Sequence, residues 1–128
     1  MLLVKTYVDK SKIKGLGLFA AELIPKGKKS WIFHEGYDAA YTEEELGPLP
    51  KIAQDRIMHY CYIDRETRKI VLCCDDARFM NHSDDPNTIP ADDGPMSPSL
   101  ASRDIHQGEE ITYDYYAEDG DALRKLGR

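Results

Sequence analysis

The apolar residues of this chain arrive in short runs, and almost every run stops at a glycine, a proline or a cluster of charges. LLVKTYV reads as a strand, DKSKIKGLG supplies turn residues, and LFAAELI returns to apolar character. Pro25-Lys26-Gly27 marks a tight turn, and SWIFHEG reads as the next strand. YCYIDRETRKIVLCC has the form of a hairpin, with Tyr60–Ile63 and Ile70–Cys74 flanking a polar turn at Asp64-Arg65-Glu66-Thr67. SLASRDI and EEITYDYY complete the strand-like runs, separated by the turn His106-Gln107-Gly108. Helical signals are few. Thr42 with Glu45 three residues on forms a capping box, Pro50 to His59 gives a helix with Ile52, Ile57 and Met58 on one side, and DALRKLGR gives one or two turns. Four of the seven prolines fall between Asn81 and Pro98, which predicts a long loop. Short strands without a strand–helix–strand rhythm predict a mostly β domain.

A length of 128 residues suits one domain around one core. The net charge is −6, and no lysine–arginine cluster is large enough to follow a phosphate backbone, so direct nucleic-acid binding is not expected. An acidic surface favours basic partners instead, such as a lysine-rich peptide. The leading MLLVKTYVDK is apolar for only four residues before a lysine, too short for a signal-peptide core or a membrane span. The expected location is the cytoplasm. The cysteines, Cys61 and the adjacent Cys73 and Cys74, lack both zinc spacing and a disulfide framework, and read as reduced, buried, small apolar residues.

The chemistry concentrates in RFMNHSDDPN, Arg78 to Asn87, directly after the apolar run Ile70 to Cys74. Asp75, Asp76, His82, Asp84 and Asp85 offer metal ligands, but with a single histidine and neither EF-hand nor paired-histidine spacing. Ser83 follows His82 directly, and on an extended chain the two side chains point to opposite faces, which places His82 poorly as its base. A polar knot that shapes a pocket is the third reading. Gly15-Leu16-Gly17 marks a backbone that takes positive φ or approaches something closely, without the third glycine of a dinucleotide site.

Four elements stand in fixed order: K-G-L-G-L-F-A, I-P-K-G, R-F-M-N-H-S-x-x-P-N and R-D-I-x-x-G-E-E-I-T-Y-D-Y. Together they resemble the SET domain of protein-lysine methyltransferases, over about Lys5 to Tyr116. The resemblance implies small curved β-sheets with short helices, the last motif threaded beneath the N-H-S segment as a C-terminal pseudoknot. One SET domain would fill residues 1–128, with a core of about 5–116 and a short tail, 117–128. Asn81, Ser83, Asn87 and Pro86 suit the task of holding such irregular backbone.

By the same resemblance the methyl donor is S-adenosylmethionine, leaving as S-adenosylhomocysteine. Lys14, Gly15, Leu16, Gly17, Arg78, Asn81 and His82 would line its pocket, with His82 acting through hydrogen bonds. Tyr115 maps to the catalytic tyrosine, where a phenol orients amine and methyl and does not act as the base. Tyr113 maps to the position where tyrosine favours monomethylation. Tyr60 and Tyr62 are candidates for the wall of a lysine channel, and Tyr37 is a displaced equivalent of a channel tyrosine or simply surface. An inactive SET domain that binds a protein or the donor without turnover is the alternative.

The chain departs from the nuclear members of the family at Asp84, where many carry a zinc-binding cysteine after N-H-S. No flanking zinc module and no metal are expected, which points to a minimal microbial or viral form, reaching a host nucleus if viral or secreted. Tyr116 and the tail around Leu123 and Leu126 would then close the site, or a second subunit would, as a homodimer. The expected substrate is a basic, lysine-containing protein of histone-like or ribosomal type.

Overall fold

The computed structural model describes residues 1–127. Ten short strands form three small sheets. β1 (Thr6–Lys10), β2 (Leu16–Ala20), β10 (Glu110–Tyr113) and β7 (Asn81–His82) make a four-stranded sheet in the order β1-β2-β10-β7. β3 (Lys29–Trp31), β9 (Ser99–Ala101) and β8 (Thr88–Pro90) make the second, and β4 (Ala39–Tyr41), β6 (Ile70–Leu72) and β5 (Tyr62–Ile63) the third. The helices are α1 (Glu43–Leu46), α2 (Lys51–Tyr60), α3 (Tyr115–Glu118) and α4 (Ala122–Leu126), with one 3-10 turn at Asp76–Phe79. The mostly β architecture of small sheets is as the sequence predicts.

Three local clusters share the burial. Leu18, Ala20, Ile24, Ala101, Ile105 and Ile111 pack between the first two sheets, and Leu46, Ile57, Cys61 and Ile70 pack under α2. Trp31, Cys73 and Ala77 form the third cluster, beneath the site described below.

β10 pairs antiparallel with β2 on one edge and parallel with β7 on the other, Thr112 opposite Asn81 and Tyr113 opposite His82. Asn87 fastens this crossing. Its Nδ2 donates to the Glu110 carbonyl at 2.8 Å and its Oδ1 accepts from the Thr112 amide at 2.9 Å. Thr88 Oγ1 donates to the Thr112 carbonyl at 2.7 Å. Short side chains thus stand in for a missing ladder, as buried irregular backbone requires.

Several elements differ from expectation for identifiable reasons. Helix α2 runs through Tyr60, so Tyr60 ends a helix and the hairpin begins at Tyr62. On α2, Ile57 is buried but Ile52 is 75% exposed; residues five apart lie about 140° apart around a helix, so they cannot share a face. The stretch Asn81–Pro98 is not one loop. It contains β7 and β8, and Pro90 is tolerated because β8 lies at a sheet edge. EEITYDYY is not one strand, because Asp114 caps α3 through its side chain, accepting from the Tyr116 amide at 2.9 Å. Cys61 and Cys73 are buried as expected, whereas Cys74 is exposed.

Candidate active site

Two cavities meet at Tyr115. The larger, about 730 Å³, lies between the Lys14–Leu16 turn, the Phe79–Asp84 segment and the tail at Arg124–Leu126. The smaller, about 290 Å³, is walled by Trp31, Tyr60, Tyr62, Cys73, Tyr113 and Glu118. His59, Tyr60, Arg78, Met80, Tyr115 and Lys125 line both.

The glycine turn of the larger cavity is built from below. Ser11 Oγ accepts from the amides of Ile13 (2.9 Å) and Lys14 (3.3 Å) and donates to the Glu110 carboxylate at 2.7 Å. Asn81 Nδ2 reaches the carbonyls of Lys14 (3.2 Å) and Leu16 (2.9 Å) and Glu110 Oε2 (3.0 Å). Asn81 therefore shapes the turn with the donor nitrogen of its side chain. Gly15 takes φ +51, the left-handed region. Gly17 is buried outside the cavity lining, and a Cβ there would stand 2.5 Å from Glu110 Oε2, so it is required for packing. Arg78 stretches over the rings of Tyr60 and Phe79, 5.3 and 5.1 Å from their centroids, and makes no ion pair among the described residues.

Tyr115 is fixed at both ends. Its amide donates to His82 Nδ1 at 3.1 Å, and its hydroxyl donates to the Met80 carbonyl at 2.7 Å. With Nδ1 accepting, the imidazole proton sits on Nε2, which faces Asp84 Oδ1 at 2.8 Å. Asp84 thus holds the histidine that holds the tyrosine. The Tyr113 ring lies 4.7 Å from that of Tyr115. Burial pushes Tyr115 up to about 12 and raises Tyr62 and Tyr113 as well, while Cys61 rises to about 11 and Cys73 to about 12. These phenols and thiols of the smaller cavity are therefore neutral at neutral pH, beside the carboxyls of Asp64, Glu66, Asp92, Asp93 and Glu118 in the same lining. The indole N–H of Trp31, which lines the same cavity, is buried without an acceptor among the described residues.

The tail closes the site from the open side. Asp119, fully buried, accepts from the Ile63 amide (2.9 Å) and pairs with Lys125 Nζ at 2.5 Å, and Lys125 also donates to the Cys61 carbonyl. The Lys125 ammonium lies 5.4 Å from the centre of the Tyr115 ring. Leu126 lines the larger cavity, but Leu123 is 69% exposed and Tyr116 packs edge-on against His82 instead of lining either space.

Of the residues singled out from sequence, Lys14, Gly15, Leu16, Asn81 and His82 line the larger cavity, Tyr62 and Tyr113 the smaller, and Tyr60, Arg78 and Tyr115 both. Tyr37 lies outside both, 43% exposed beside Asp75. The turn Gly36-Tyr37 directs it outward, because the adjacent Asp38 carboxylate is buried to bind the His34 and Cys74 amides. Sequence reasoning missed Met80, Glu118, Asp119 and Lys125. Met80 contributes through its carbonyl, which leaves no trace in a side-chain pattern. The acidic and basic tail residues had a signal only in their apolar company.

The profile of the SET-domain family matches residues 15–116. A candidate histone-lysine N-methyltransferase of Plasmodium falciparum (isolate 3D7) is 32% identical over 88% of this chain. The Drosophila melanogaster histone-lysine N-methyltransferase trr is 32% identical over 94% of it. The chain spans only 2% and 5% of those two proteins. Among solved structures, a Polycomb Repressive Complex 2 of Chaetomium thermophilum, in an autoinhibited conformation bound to S-adenosylmethionine, superposes with a TM-score of 0.64. That likeness covers 97% of this chain and 16% of that one at 22% identity, and shows a shared fold.

Proposed function

This chain belongs to the SET-domain family, and on that premise we propose that it transfers a methyl group from S-adenosylmethionine to the ε-amine of a lysine in a protein. One observation carries the reading: two cavities of different character meet at a tyrosine whose hydroxyl and amide are both fixed.

The larger cavity fits the donor. Its volume suits a nucleoside joined to an amino acid. Arg78 offers an unpaired guanidinium for a carboxylate, the rings of Tyr60 and Phe79 offer flat apolar surface, and the Lys14–Leu16 turn offers main-chain groups. Bound there, S-adenosylmethionine would supply a methyl group on a positively charged sulfur. Asn81 and Gly17 keep the turn in shape, and Lys125 with Asp119 holds the tail across the opening.

The smaller cavity fits a lysine side chain. About one lysine in 2,500 is neutral at pH 7 in water; the neutral phenols and thiols of the cavity disfavour the ammonium, while the carboxyls that share its lining draw the cation in. Tyr115 stays protonated and donates to Met80, so its part is to fix the position of the attacking amine, not to remove its proton. Tyr113 stands beside it, where its phenol restricts turning of an amine that already carries a methyl group. We therefore assign monomethylation, on a basic protein substrate as the acidic net charge favours.

The rival reading is a SET fold that binds the donor or a protein without turnover. Calorimetry with S-adenosylmethionine and S-adenosylhomocysteine, followed by methyl-lysine proteomics of the native host with and without the gene, separates the two. Donor binding with loss of specific methyl-lysine sites on deletion supports the enzyme. Donor binding with an unchanged methyl-lysine map supports the binding module.

A further inference from the structure

Glu118 ends α3 and lines the smaller cavity, half-buried. Among the described residues no hydrogen bond or ion pair reaches its carboxylate. The three cations that share the cavity are committed elsewhere: Arg65 to the carbonyls of Tyr116 and Asp119, Lys125 to Asp119 and the Cys61 carbonyl, and Arg78 to the faces of the Tyr60 and Phe79 rings. A carboxylate half out of water without a counter-ion is costly. Burial first, and the Asp114 charge at the cap of the same helix second, push it up to about 7. Tyr62 of β5 and Tyr113 of β10 face it as neutral phenols. His59 of α2 lines the same cavity, packed edge-on to Tyr60.

Given that this cavity admits a lysine, as proposed above, we propose that Glu118 receives the incoming ammonium and accepts its proton. An N–H bond of the ammonium breaks as an O–H bond forms on the carboxylate, so ammonium and carboxylate become neutral amine and carboxylic acid. Charge and protons balance within the pair. Glu118 then releases the proton to solvent past Glu66 and Asp93, which are exposed and line the outer part of the cavity. The neighbouring phenols cannot take this part at neutral pH, because burial holds them protonated.

Two measurements test the assignment. The first is carbon-13 NMR of protein labelled at the glutamate carboxyl, with the Glu118 resonance identified by its absence in Glu118→Gln. It is titrated alone and with n-butylammonium, a mimic of the lysine side chain. The expected midpoint lies near neutrality in the free protein and falls when the cation is added. A resonance that titrates with the exposed carboxylates and ignores n-butylammonium overturns the proposal. The second is methyl transfer to core histones by wild type and Glu118→Gln between pH 6 and pH 10. The variant should lose roughly tenfold or more at pH 7, and the deficit should close toward pH 10, where the lysine ammonium loses its proton unaided. A ratio that does not change with pH overturns the proposal. If the wild type transfers nothing while the n-butylammonium response is intact, the transfer reading falls and the cation site stands.

Discussion

At the scale of single residues, the site separates groups that touch a reactant from groups that place them. On the proposed function, Tyr113 belongs to the first set. Tyr113→Phe keeps the ring beside Tyr115 and removes only the hydroxyl, so mass spectrometry of the acceptor should show di- and trimethyl-lysine where the wild type stops at one. A wild type that already trimethylates would contradict the assignment. Asn81 belongs to the second set. Asn81→Ala removes two hydrogen bonds to the glycine turn and one to Glu110, which should cost roughly 1–3 kcal/mol of stability and weaken S-adenosylhomocysteine binding about tenfold or more by calorimetry. Tyr115, Asn81, His82 and Arg78 were legible because their order along the chain is distinctive. Glu118 was not, because its isolation from Arg65 and Lys125 exists only after folding.

At the scale of elements, the tail is the part of the fold that has to be explained afresh. α4 closes the larger cavity through a buried ion pair, Asp119 with Lys125, where the sequence predicted one or two helical turns closing the site through Leu123 and Leu126 but not this pair. Removing one partner of a buried pair leaves the other uncompensated, so Asp119→Ala should cost about 3–5 kcal/mol, read from chemical denaturation, and should open the donor site. Lys125→Met keeps much of the stem's packing but leaves the fully buried Asp119 carboxylate unpaired, so it should cost a similar amount and weaken donor binding as well. The capping box at Thr42 and Glu45 was legible and forms as read, with both reciprocal bonds present. The end of β10 was misread although the signal was there: Asp114 is a good N-cap, and an apolar, aromatic run masked it. Pro86 and Pro90 similarly suggested a single loop, where one proline sits on an edge strand.

At the scale of the whole molecule, three small sheets hold three small clusters, and the site lies where β10 is drawn between β2 and β7. A fold with such modest cores feels one strained carboxyl. Glu118 keeps its proton up to about 7 when folded but ionises near the ordinary glutamate value when unfolded. Its contribution to stability is therefore full below the unfolded value and lost as pH rises through about 7. Glu118→Gln should change the melting temperature little near pH 5 and raise it at pH 8 in scanning calorimetry, a gain in unfolding free energy on the order of 2 kcal/mol. The central claim is that a methyl group crosses from one cavity to the other past Tyr115. It is tested most directly by incubating the protein with radiolabelled S-adenosylmethionine and core histones, then hydrolysing and resolving the amino acids. Label in monomethyl-lysine, lost in Tyr115→Phe while that variant still binds S-adenosylhomocysteine, is the predicted result. Label that persists at the wild-type rate in Tyr115→Phe, or appears in an amino acid other than lysine, would contradict it.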